Sequence, residues 1–523
     1  MRGRESRWTP LINSVGRDIP NKIEGYKKVV PFSGAYSNLG NGVRVSGRYR
    51  TILPGEKKVL GSIREAIEKV GLKDGMTISF HHHLRNGDYV LNMVVDEIAR
   101  MGIKDIKIAA SSIFNCHEPL IEHIKNGVVT SIEANYIVGP VATAISKGIL
   151  DVPVVMRSHG GRDRAIEAGE LHIDVAFIAA PSADIYGNIN GIYGPSACGS
   201  LGYSFSDARY ADWVIAITDN LVSFPLIPIS IDQTFVDYVV KVEKIGDPKG
   251  IVSGTTNITR DPVGLKIACM AADVIEASGL LKDGISFQTG AGGTSLAVAS
   301  FLKQKMKEKR ITGSFGLGGI TGFFVEMLRE GLFKALLDTQ CFDLKAVESL
   351  REDRNHIEIT SSMYGNPHNK GAVVNNLDVM ILGATEIDTD FNVNVTTGSN
   401  GIIMGGSGGH NDTAAGSKLA VVVTSLIKGR LPIVVERVTT VTTPGETIDV
   451  LVTEYGIAVN PKNVELKKKI VDNKLPVVDI KELKDIAYRL CGRPDDIKFG
   501  ERIVAIVEYR DGTVIDVIRE VTR

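Results

Sequence analysis

The sequence predicts an α/β protein made of two similar domains, each a mostly parallel sheet flanked by helices. Apolar, strand-like runs alternate with helical segments of ten or more residues along the 523-residue chain, as is typical of parallel sheets covered by helices. The pattern Asp-x-x-x-Asn-x-Asn occurs at 184–190 and again at 388–394, each time after an apolar run. EKVGLKDGMTISF, from Glu68, also resembles EASGLLKDGISFQ, from Glu276. Two matching pairs in the same order indicate an internal duplication, with a binding cleft expected between the copies.

The order of elements divides the chain into four segments. They are an N-terminal extension, a first α/β domain, a second α/β domain and a small C-terminal α+β segment, at 1–55, 56–250, 251–460 and 461–523. In the first domain, glycine-terminated helices alternate with strands, predicted at 61–71, 77–80, 90–102, 103–111, 139–150, 172–180 and 211–219. In the second domain, helices are predicted at 264–279 and 323–337, and strands at 285–289, 311–316, 356–362, 378–385 and 420–424. Two further helices precede a C-terminal hairpin, which Asp511-Gly512 between β-branched runs indicates.

Composition excludes several classes of function. With 43% hydrophobic and 23% charged residues the chain is globular, and its net charge of −1 argues against a nucleic-acid or membrane-surface partner. No apolar run reaches the ~20 residues that a membrane helix needs. The five cysteines form no CxxC pair, which argues against a disulfide framework or a zinc site and favours the reducing cytoplasm.

A histidine-rich loop, FHHHLRNGD, lies where a strand passes into a helix at 80–88. Gly87 permits a tight turn and Asp88 can cap the helix. Backbone N–H groups at a helix start would suit an anion, together with the polar side chains His81, His82, His83, Arg85 and Asn86. Consecutive side chains of a strand point in alternate directions, so the three histidines cannot easily share one metal ion. An anion site and a merely polar surface loop both remain open.

Two glycine-rich loops are candidates for holding a ligand. TGAGG, at 289–293, could offer N–H groups to a developing oxyanion, although it could equally be a tight turn that packs a helix on the sheet. MGGSGGHND, at 404–412, has so many glycines that its ordering is costly in chain entropy, which a closely approaching ligand would justify. Glu326 lies on a strongly apolar helix, where burial would raise its pKa, while the simpler alternative is a solvated helix face.

Long stretches of the chain resemble one family. They include SFHHHLRNGDYVLN, RSHGGR, GITGFFVEML, SSMYGNP, DFNVNVTTGSNGIIMGGSGGHNDTAAG and VVERVTTVTTPGETIDVLVTEYGIAVNP. The sequence is similar, nearly end to end, to the alpha subunits of bacterial citrate lyase, within the wider CoA-transferase and acetyl-CoA hydrolase superfamily. The resemblance implies two CoA-transferase-like domains with the site in the cleft between them.

The resemblance also implies a reaction. The family exchanges the acetyl group of an acetyl-carrier protein for citrate, giving citryl-carrier protein and acetate, and acetyl-CoA is expected to serve as well. Implied partners are the acyl carrier (gamma) subunit, which carries a CoA-like phosphopantetheine prosthetic group, and the citryl-lyase (beta) subunit. No cofactor is expected to bind tightly to this chain, no metal is expected, and a homo-oligomer is expected. The alternatives are an acetyl-CoA hydrolase or other carboxylate CoA-transferase with a covalent Glu, and a non-catalytic metabolite sensor.

The resemblance also implies roles for individual residues. Catalytic candidates are Glu326, which resembles the nucleophile of classical relatives, and the oxyanion donors Gly292 and Gly293. Candidates for binding CoA or the thioester are Gly290, Ala291, Asn392, Asn394, Gly405, Gly406, Ser407, Gly408 and Gly409. Candidates for binding citrate are His81, His82, His83, Arg85, Asn86, Arg157, His159, Arg162, His410, Asn411 and Asp412. Citrate lyase alpha subunits are usually placed in a class in which the two substrates react directly, so the role of Glu326 stays open.

Overall fold

Two large β-sheets organise the computed structural model, which describes residues 11–38, 42–47, 50–81, 83–252, 258–290 and 292–522. The strands, in chain order, are β1 Leu11–Ile12, β2 Asp18–Ile19, β3 Val59–Leu60, β4 Thr77–Phe80, β5 Ile106–Ala110, β6 Val129–Ala134, β7 Val154–Met156, β8 Val175–Ala179, β9 Ser182–Asp184, β10 Ile189–Asn190, β11 Trp213–Thr218, β12 Leu221–Val222, β13 Tyr238–Lys241, β14 Phe287–Thr289, β15 Gly313–Ile320, β16 Phe333–Cys341, β17 His356–Glu358, β18 Val379–Leu382, β19 Glu386–Asp388, β20 Val393–Asn394, β21 Leu419–Val423, β22 Ile427–Lys428, β23 Leu431–Pro432, β24 Val434–Val435, β25 Val450–Thr453, β26 Gly456–Val459, β27 Phe499–Glu508 and β28 Val514–Val521.

The α-helices flank these sheets. In chain order they are α1 Ile63–Val70, α2 Val90–Arg100, α3 Leu120–Lys125, α4 Gly139–Ser146, α5 His159–Glu167, α6 Ser204–Tyr210, α7 Pro262–Ser278, α8 Gly293–Lys309, α9 Gly322–Arg329, α10 Leu344–Glu352, α11 Ser361–Gly365, α12 His410–Gly416, α13 Val464–Asp472 and α14 Ile480–Cys491. No helix among the described residues combines the length and the apolar character that a membrane crossing requires.

Both sheets are mostly parallel, which confirms the predicted fold class. The first sheet has ten strands in the order β28-β27-β7-β6-β5-β4-β8-β11-β13-β3, and only its terminal pair is antiparallel. The second has eight strands in the order β17-β16-β15-β14-β18-β21-β25-β26, again with one antiparallel pair, at β25 and β26. Strands buried on both faces, such as β4 and β21, read as continuous apolar runs because helices cover both sides of a parallel sheet.

The C-terminal hairpin completes the first sheet. Strand β27 lies parallel to β7, with Ala505 opposite Val154, and β28 forms the outer edge. Asp511 and Gly512 form the turn between them, where Gly512 has a φ of 88°. Helix α13 instead packs on α7 in the second half of the chain. The segment after residue 460 therefore contributes to both halves of the molecule.

One predicted helix is too long. The pattern at 323–337 predicted a single helix, but α9 ends at Arg329 and 333–341 forms strand β16. Gly331, at a φ of 75°, ends the helix, and the N–H of Leu332 bonds back to the carbonyl of Met327. Leu328, Leu332 and Leu336 recur every four residues across α9 and the start of β16, so periodicity alone could not separate the two elements.

The duplicated Asp-x-x-x-Asn-x-Asn motif builds the same small sheet twice. Strands β9, β10 and β12 pair in the same pattern as β19, β20 and β24. The buried Asp184 accepts hydrogen bonds from the N–H groups of Tyr186 and Gly187 and from Asn188 Nδ2 at 2.8 Å. Asp388 accepts from two N–H groups of its own hairpin and from Asn392 Nδ2 at 3.2 Å. The motif therefore folds a hairpin, and its repetition reflects shared architecture.

We predict that Asp184→Ala and Asp388→Ala each lower the free energy of unfolding by about 2–4 kcal/mol, because several buried N–H donors lose their acceptor. Equilibrium urea unfolding measures the change. Asp232→Ala, which removes only the exposed local bonds from the N–H and the hydroxyl of Thr234, is the control and should change stability by about 0.5 kcal/mol or less. Equal effects for the three variants would contradict the structural role of the motif.

Candidate active site

A cleft of about 380 Å³ is lined by residues of both halves of the chain. It lies at the carboxyl ends of strands from both sheets, where ligands bind in parallel α/β folds. The first half contributes Arg85, Ser112, Phe114, Tyr136, His159 and Tyr203 to its wall. The second half contributes Gln288, Thr289, Gly290, Gly319, Thr339, Gln340, Phe342, Tyr364, Met380, Leu382, Gly383, Val395, Gly406, Ser407, Gly408, Gly409 and His410. Both predicted glycine loops therefore face the same hollow.

The glycine segment of the second half is fixed directly to the first half. Asp412, which is fully buried, accepts hydrogen bonds from Ser158 Oγ at 2.8 Å and from the N–H of Gly160 at 2.9 Å. The N–H of His159 donates to the carbonyl of Gly408 at 2.8 Å. Burial raises the pKa of Asp412 to about 6, against the opposing effect of nearby Arg510. Asp412 was predicted to bind citrate, but the structure places it beneath the cleft, where it docks one half on the other.

Packing within the protein accounts for much of the glycine content of 405–409. A Cβ atom on Gly406 would lie 2.1 Å from the carbonyl oxygen of Asn135, and one on Gly409 would lie 2.3 Å from the Tyr364 hydroxyl. The prediction from the sequence was that a closely approaching ligand requires these glycines. The structure shows that protein atoms already approach the backbone this closely on one side.

The two glycine loops differ in the N–H groups that they leave available. The N–H of Gly290 donates to Ile381, and that of Gly292 donates to the carbonyl of Gly290. Within the described part of the chain, the N–H groups of Ser407 and Gly409 have no such partner. Of the two loops, 405–409 is therefore the better source of donors for an anion in the cleft. Gly292 and Gly293 begin helix α8 and do not line the cleft, and Ala291 lies outside the described residues.

Arg85 provides the positive charge of the cleft. It is the one Lys or Arg among the described lining residues, and its backbone has a φ of 51°, in the left-handed region. Its guanidinium lies 4.8 Å from the ring centre of Phe342 and 5.6 Å from that of Phe114, so both halves of the chain contact it. Its Nη1 is buried without a hydrogen-bond partner, and no described carboxylate pairs with it. Burial lowers its pKa, as expected for a cation without a counter-ion.

Two histidines line the cleft in the neutral form. Burial lowers the pKa of His159 to about 3 and that of His410 to about 4. His410 Nε2 donates to the carbonyl of Gly383 at 3.0 Å, so Nδ1 accepts from the Thr443 hydroxyl at 2.7 Å. Both rings therefore act as neutral hydrogen-bonding groups near pH 7.

The two described histidines of the HHH loop do not line the cleft. His81 and His83 are buried, and their Nδ1 atoms are 2.8 Å apart, as expected for alternate residues that point to one side of a strand end. His82 lies outside the described residues. The Asn86 side chain accepts from the N–H of Cys116 at 3.2 Å and does not reach the cleft lining.

The arginines of RSHGGR are neutralised inside the first half. Arg157 is buried and pairs with Glu133 and with Glu508, the latter at 2.7 Å. Arg162 is buried against Asp207 at 2.6 Å. Neither lines the cleft. A buried charge keeps its partner because separation would leave an uncompensated ion, so both arginines stabilise the fold around the site.

The predicted asparagines hold backbone in place. Asn392 Oδ1 accepts from the N–H of Gly445 at 2.9 Å, Asn394 Nδ2 donates to the carbonyl of Thr397 at 3.0 Å, and Asn411 Nδ2 donates to that of Thr442 at 3.3 Å. All three are buried and absent from the cleft wall.

Glu326 lies outside the cleft. Its side chain is 47% exposed and accepts a hydrogen bond from Lys345 at 2.8 Å, with Lys303 also nearby. The bond from Lys345 lowers its pKa, in contrast to the increase expected for a buried carboxyl group. The apolar residues that surround it in sequence face the core, whereas Glu326 lies on the opposite face of α9. The geometry gives no support to a covalent role.

Several residues that line the cleft were not predicted from the sequence. Gln288, Tyr203 and Tyr364 line the cleft, and Gln288 Nε2 donates to the Tyr364 hydroxyl at 2.9 Å. Gln288 Oε1 and Ser407 Oγ are buried without hydrogen-bond partners. Buried polar atoms are normally hydrogen-bonded, so both can bond to a polar ligand in the cleft. These residues lie far apart in the chain, and only the position of Gln288 in the repeated strand–loop unit could have indicated it.

No Asp, Glu, Cys or Lys lines the cleft among the described residues. One group outside the cleft has potential metal ligands, because the side-chain ligand atoms of His172, Asp174 and Asp212 lie within 4.8 Å of one another. It lies at the amino ends of β8 and β11, at the opposite edge of the first sheet from the cleft. The cleft can therefore bind anions through Arg85 and N–H groups, but its described wall offers no carboxylate, thiol or amine nucleophile.

Comparison with known proteins identifies the family. The family model for the citrate lyase alpha subunit (CitF) matches residues 56–521. The chain belongs to this family. The citrate lyase alpha chains of Haemophilus influenzae and Klebsiella pneumoniae are 51% and 50% identical to it over 466 residues, 89% of this chain and 93% and 92% of theirs. The predicted resemblance is confirmed.

Comparison with solved structures agrees with this family assignment. A Streptococcus mutans structure, assigned to the alpha subunit of citrate lyase and determined in complex with citrate, is 52% identical with a TM-score of 0.93, over 98% of this chain and 100% of that one. A Pseudomonas malonate decarboxylase structure shares the fold at 16% identity and a TM-score of 0.62, over 83% of this chain and 86% of that one. Membership of the family confirms a citrate CoA-transferase enzyme over the hydrolase and sensor alternatives.

We predict that Glu326→Gln retains citrate CoA-transferase activity within about two-fold, because an exposed side chain outside the cleft does not touch the reacting atoms. Steady-state kinetics with acetyl-CoA and citrate measures this. Glu330→Gln, on the same exposed surface, is the matched control. A loss of about 10³-fold or more in the first variant alone would return Glu326 to a catalytic role.

We predict that Asp412→Asn changes the pH dependence of stability. The folded protein binds the proton of Asp412 more tightly than the unfolded chain, so this group favours folding below about pH 4 and loses that contribution as the pH rises through 6. A rise from the ordinary value to about 6 corresponds to about 3 kcal/mol. Urea unfolding should therefore show Asp412→Asn gaining stability relative to wild type between pH 4 and pH 7, whereas an identical difference at both pH values would contradict the burial argument.

Proposed function

We propose that the cleft holds citrate and an acetyl thioester together and lets them react directly. The thioester is carried by the phosphopantetheine-type arm of a partner acyl carrier (gamma) subunit, and a partner beta subunit cleaves the citryl product. This chain holds no tightly bound cofactor of its own in the proposal. The observation that carries it is the absence of a carboxylate among the described lining residues, because the enzyme–CoA thioester of the covalent alternative forms on a carboxyl group.

The chemistry balances without a nucleophile from the enzyme. An oxygen of a citrate carboxylate attacks the acetyl carbonyl carbon, and the C–S bond breaks to give a mixed anhydride and a thiolate. The thiolate then attacks the citryl carbonyl carbon of the anhydride. The C–O bond to the citryl group breaks, and acetate leaves with the oxygen that citrate supplied. One carboxylate enters and one leaves, so no net proton transfer is needed, which is consistent with the neutral His159 and His410.

Each half-step develops negative charge on a carbonyl oxygen. The N–H groups of Ser407 and Gly409 lie in the wall of the cleft without partners among the described residues, and they can donate to that oxygen. Donors already fixed by the fold stabilise a developing oxyanion without reorganising, and removal of one typically costs about 10²–10³-fold in rate. The docking of 405–409 on the loop at 158–160 fixes these donors in place.

Arg85 is the proposed anchor for citrate. Its guanidinium can bind a carboxylate with two parallel hydrogen bonds, and the rings of Phe114 and Phe342 hold it in the cleft. A citrate carboxylate would supply the counter-ion that the described residues lack. Because one carboxylate is held by Arg85, another is left to react with the thioester, whose carbonyl oxygen would accept from the N–H groups of 406–409 in the same cleft.

The mechanism is tested by a half-reaction. Enzyme at stoichiometric concentration is mixed with ¹⁴C-acetyl-CoA, first without and then with citrate, and released acetate is counted. We expect acetate only after citrate is added, and initial rates that fit a sequential scheme. Release of one equivalent of acetate before citrate, with an enzyme thioester trapped by borohydride, would show a covalent intermediate and contradict direct transfer.

We predict that Arg85→Gln lowers kcat/KM for citrate by about 10²-fold, which corresponds to the roughly 3 kcal/mol of a strong charged hydrogen bond. Arg85→Lys should restore little, because lysine lacks the planar group that fits between two rings. Arg351→Gln, an exposed arginine on α10, is the matched control and should behave as wild type. Stability of Arg85→Gln should not fall, since the variant removes an uncompensated buried cation. Unchanged citrate kinetics would contradict the assignment.

A further inference from the structure

One amide oxygen in the wall of the cleft has no hydrogen-bond partner. Gln288, in β14, lines the cleft and is 5% exposed, and its Oε1 is buried without a partner among the described residues. Ser407 Oγ is also unpaired, but a hydroxyl group can either donate or accept. An amide oxygen can only accept. Gln288 Oε1 therefore requires a hydrogen-bond donor from the molecule that fills the cleft.

The nitrogen end of the same amide is bound by the protein. Gln288 Nε2 donates to the Tyr364 hydroxyl at 2.9 Å, and a Cβ atom on Gly318 of the neighbouring strand β15 would overlap this nitrogen. Glycine at position 318 therefore leaves the space that the amide group occupies. Because the Tyr364 hydroxyl and the neighbouring strand hold the side chain, the oxygen is the end of the amide that is left for a ligand.

The two proposed substrates offer few hydrogen-bond donors. The carboxylates of citrate are acceptors when ionised, and the acetyl thioester group has no N–H or O–H, so the hydroxyl group of citrate is its one donor. A phosphopantetheine-type arm carries amide N–H groups, but a methylene spacer separates them from the thioester. Because the arm leads from the reacting carbonyl to a carrier outside the cleft, the buried Gln288 Oε1 suits the small substrate better than the arm.

We infer that Gln288 makes the site selective for a hydroxylated tricarboxylate, because its Oε1 accepts a hydrogen bond from the citrate hydroxyl while Arg85 holds a carboxylate. This role rests on the proposed function in that citrate binds in this cleft, but it holds whether or not the transfer is direct. A tricarboxylate without the hydroxyl would leave Gln288 Oε1 buried and unpaired, which is costly. A site that bonds a substrate hydroxyl in this way rejects the analogue that lacks it.

The test compares citrate with tricarballylate, which is citrate without its hydroxyl group. Isothermal titration of the full-length chain should show that the wild type binds citrate about 10–100-fold more tightly than tricarballylate. Gln288→Met keeps the length of the side chain but has no amide. This variant should bind the two compounds within about three-fold of each other, chiefly through weaker binding of citrate, because no buried acceptor is then left unpaired. Calorimetry measures the ratio even if a variant is inactive.

Three further variants separate this role from general effects on the site. Tyr364→Phe keeps Gln288 but removes the oxygen that receives its Nε2, so the preference for citrate should fall by about three- to ten-fold. Arg85→Gln should weaken binding of both compounds alike, because both have the carboxylate that Arg85 holds, and their ratio should stay as in the wild type. Gln304→Met, at an exposed position of α8, is the matched control and should leave both affinities unchanged.

The outcomes distinguish the role of Gln288 from the proposed function. A wild type without a preference for citrate, a preference that persists in Gln288→Met, or an equal loss of both compounds in that variant would overturn the inference. Weaker binding of acetyl-CoA with unchanged binding of citrate would assign Gln288 to the arm and would also overturn it. If Arg85→Gln affects neither compound while Gln288→Met still removes the preference, the proposed anchor fails and the role of Gln288 stands. Circular dichroism checks that every variant is folded.

Discussion

The contact on which the site depends is the buried hydrogen bonding of Asp412 to the loop at 158–160. This carboxylate belongs to the second half of the chain, and its partners, Ser158 Oγ and the N–H of Gly160, belong to the first. Burial raises its pKa to about 6, so the fold keeps a carboxyl group here at some electrostatic cost. The contact fixes the segment that carries the N–H groups of 406–409 to the first half, which contributes Arg85 to the same cleft. It therefore helps to hold together the two walls of the cleft, one from each half.

The electrostatics of the cleft follow from which charges the fold neutralises. Arg157 and Arg162 are bound to buried carboxylates, whereas Arg85 has aromatic neighbours and no described counter-ion. The lining histidines are neutral because burial lowers their pKa values. A site with one cation, neutral donors and no described carboxylate is suited to two substrates that exchange carboxylates. Its contribution to catalysis is then positioning and stabilisation of the oxyanion, two effects that are large in a site that excludes water.

The duplication explains both the symmetry of the fold and where the halves diverge. Asp184 and Asp388 perform the same structural task in two equivalent hairpins. The surrounding surfaces differ. The N-terminal segment and the C-terminal hairpin cover the polar segment 437–443, whereas the corresponding segment of the first half, 225–231, is apolar and partly exposed. The same supersecondary unit therefore presents a different surface in each half.

The sequence by itself determined the fold class, the duplication and the family. Alternating strands and helices require a covered parallel sheet, and long matching segments carry the family regardless of their contacts. Of the candidate site residues, Arg85, Gly290, 406–409, His159 and His410 do line the cleft. Asp412, Asn392, Asn394, Arg157 and Arg162 lie in supporting positions instead. The helix predicted through 333–337 was wrong, because Leu328, Leu332 and Leu336 follow helical spacing across the end of α9 and the start of β16.

Only the tertiary structure decided which polar residues face the cleft. A sequence shows that an arginine or a carboxylate is present, but whether it serves a ligand depends on the partner that it meets in space. Arg162 meets Asp207 from 45 residues away, and Asp412 meets Ser158 from 254 residues away. Such long-range pairs neutralise charges that look available in the linear sequence. Arg85 differs from these paired residues. The rings of Phe114 and Phe342, one from each half, lie next to its guanidinium, and no described carboxylate neutralises its charge. The charge can therefore act on a ligand.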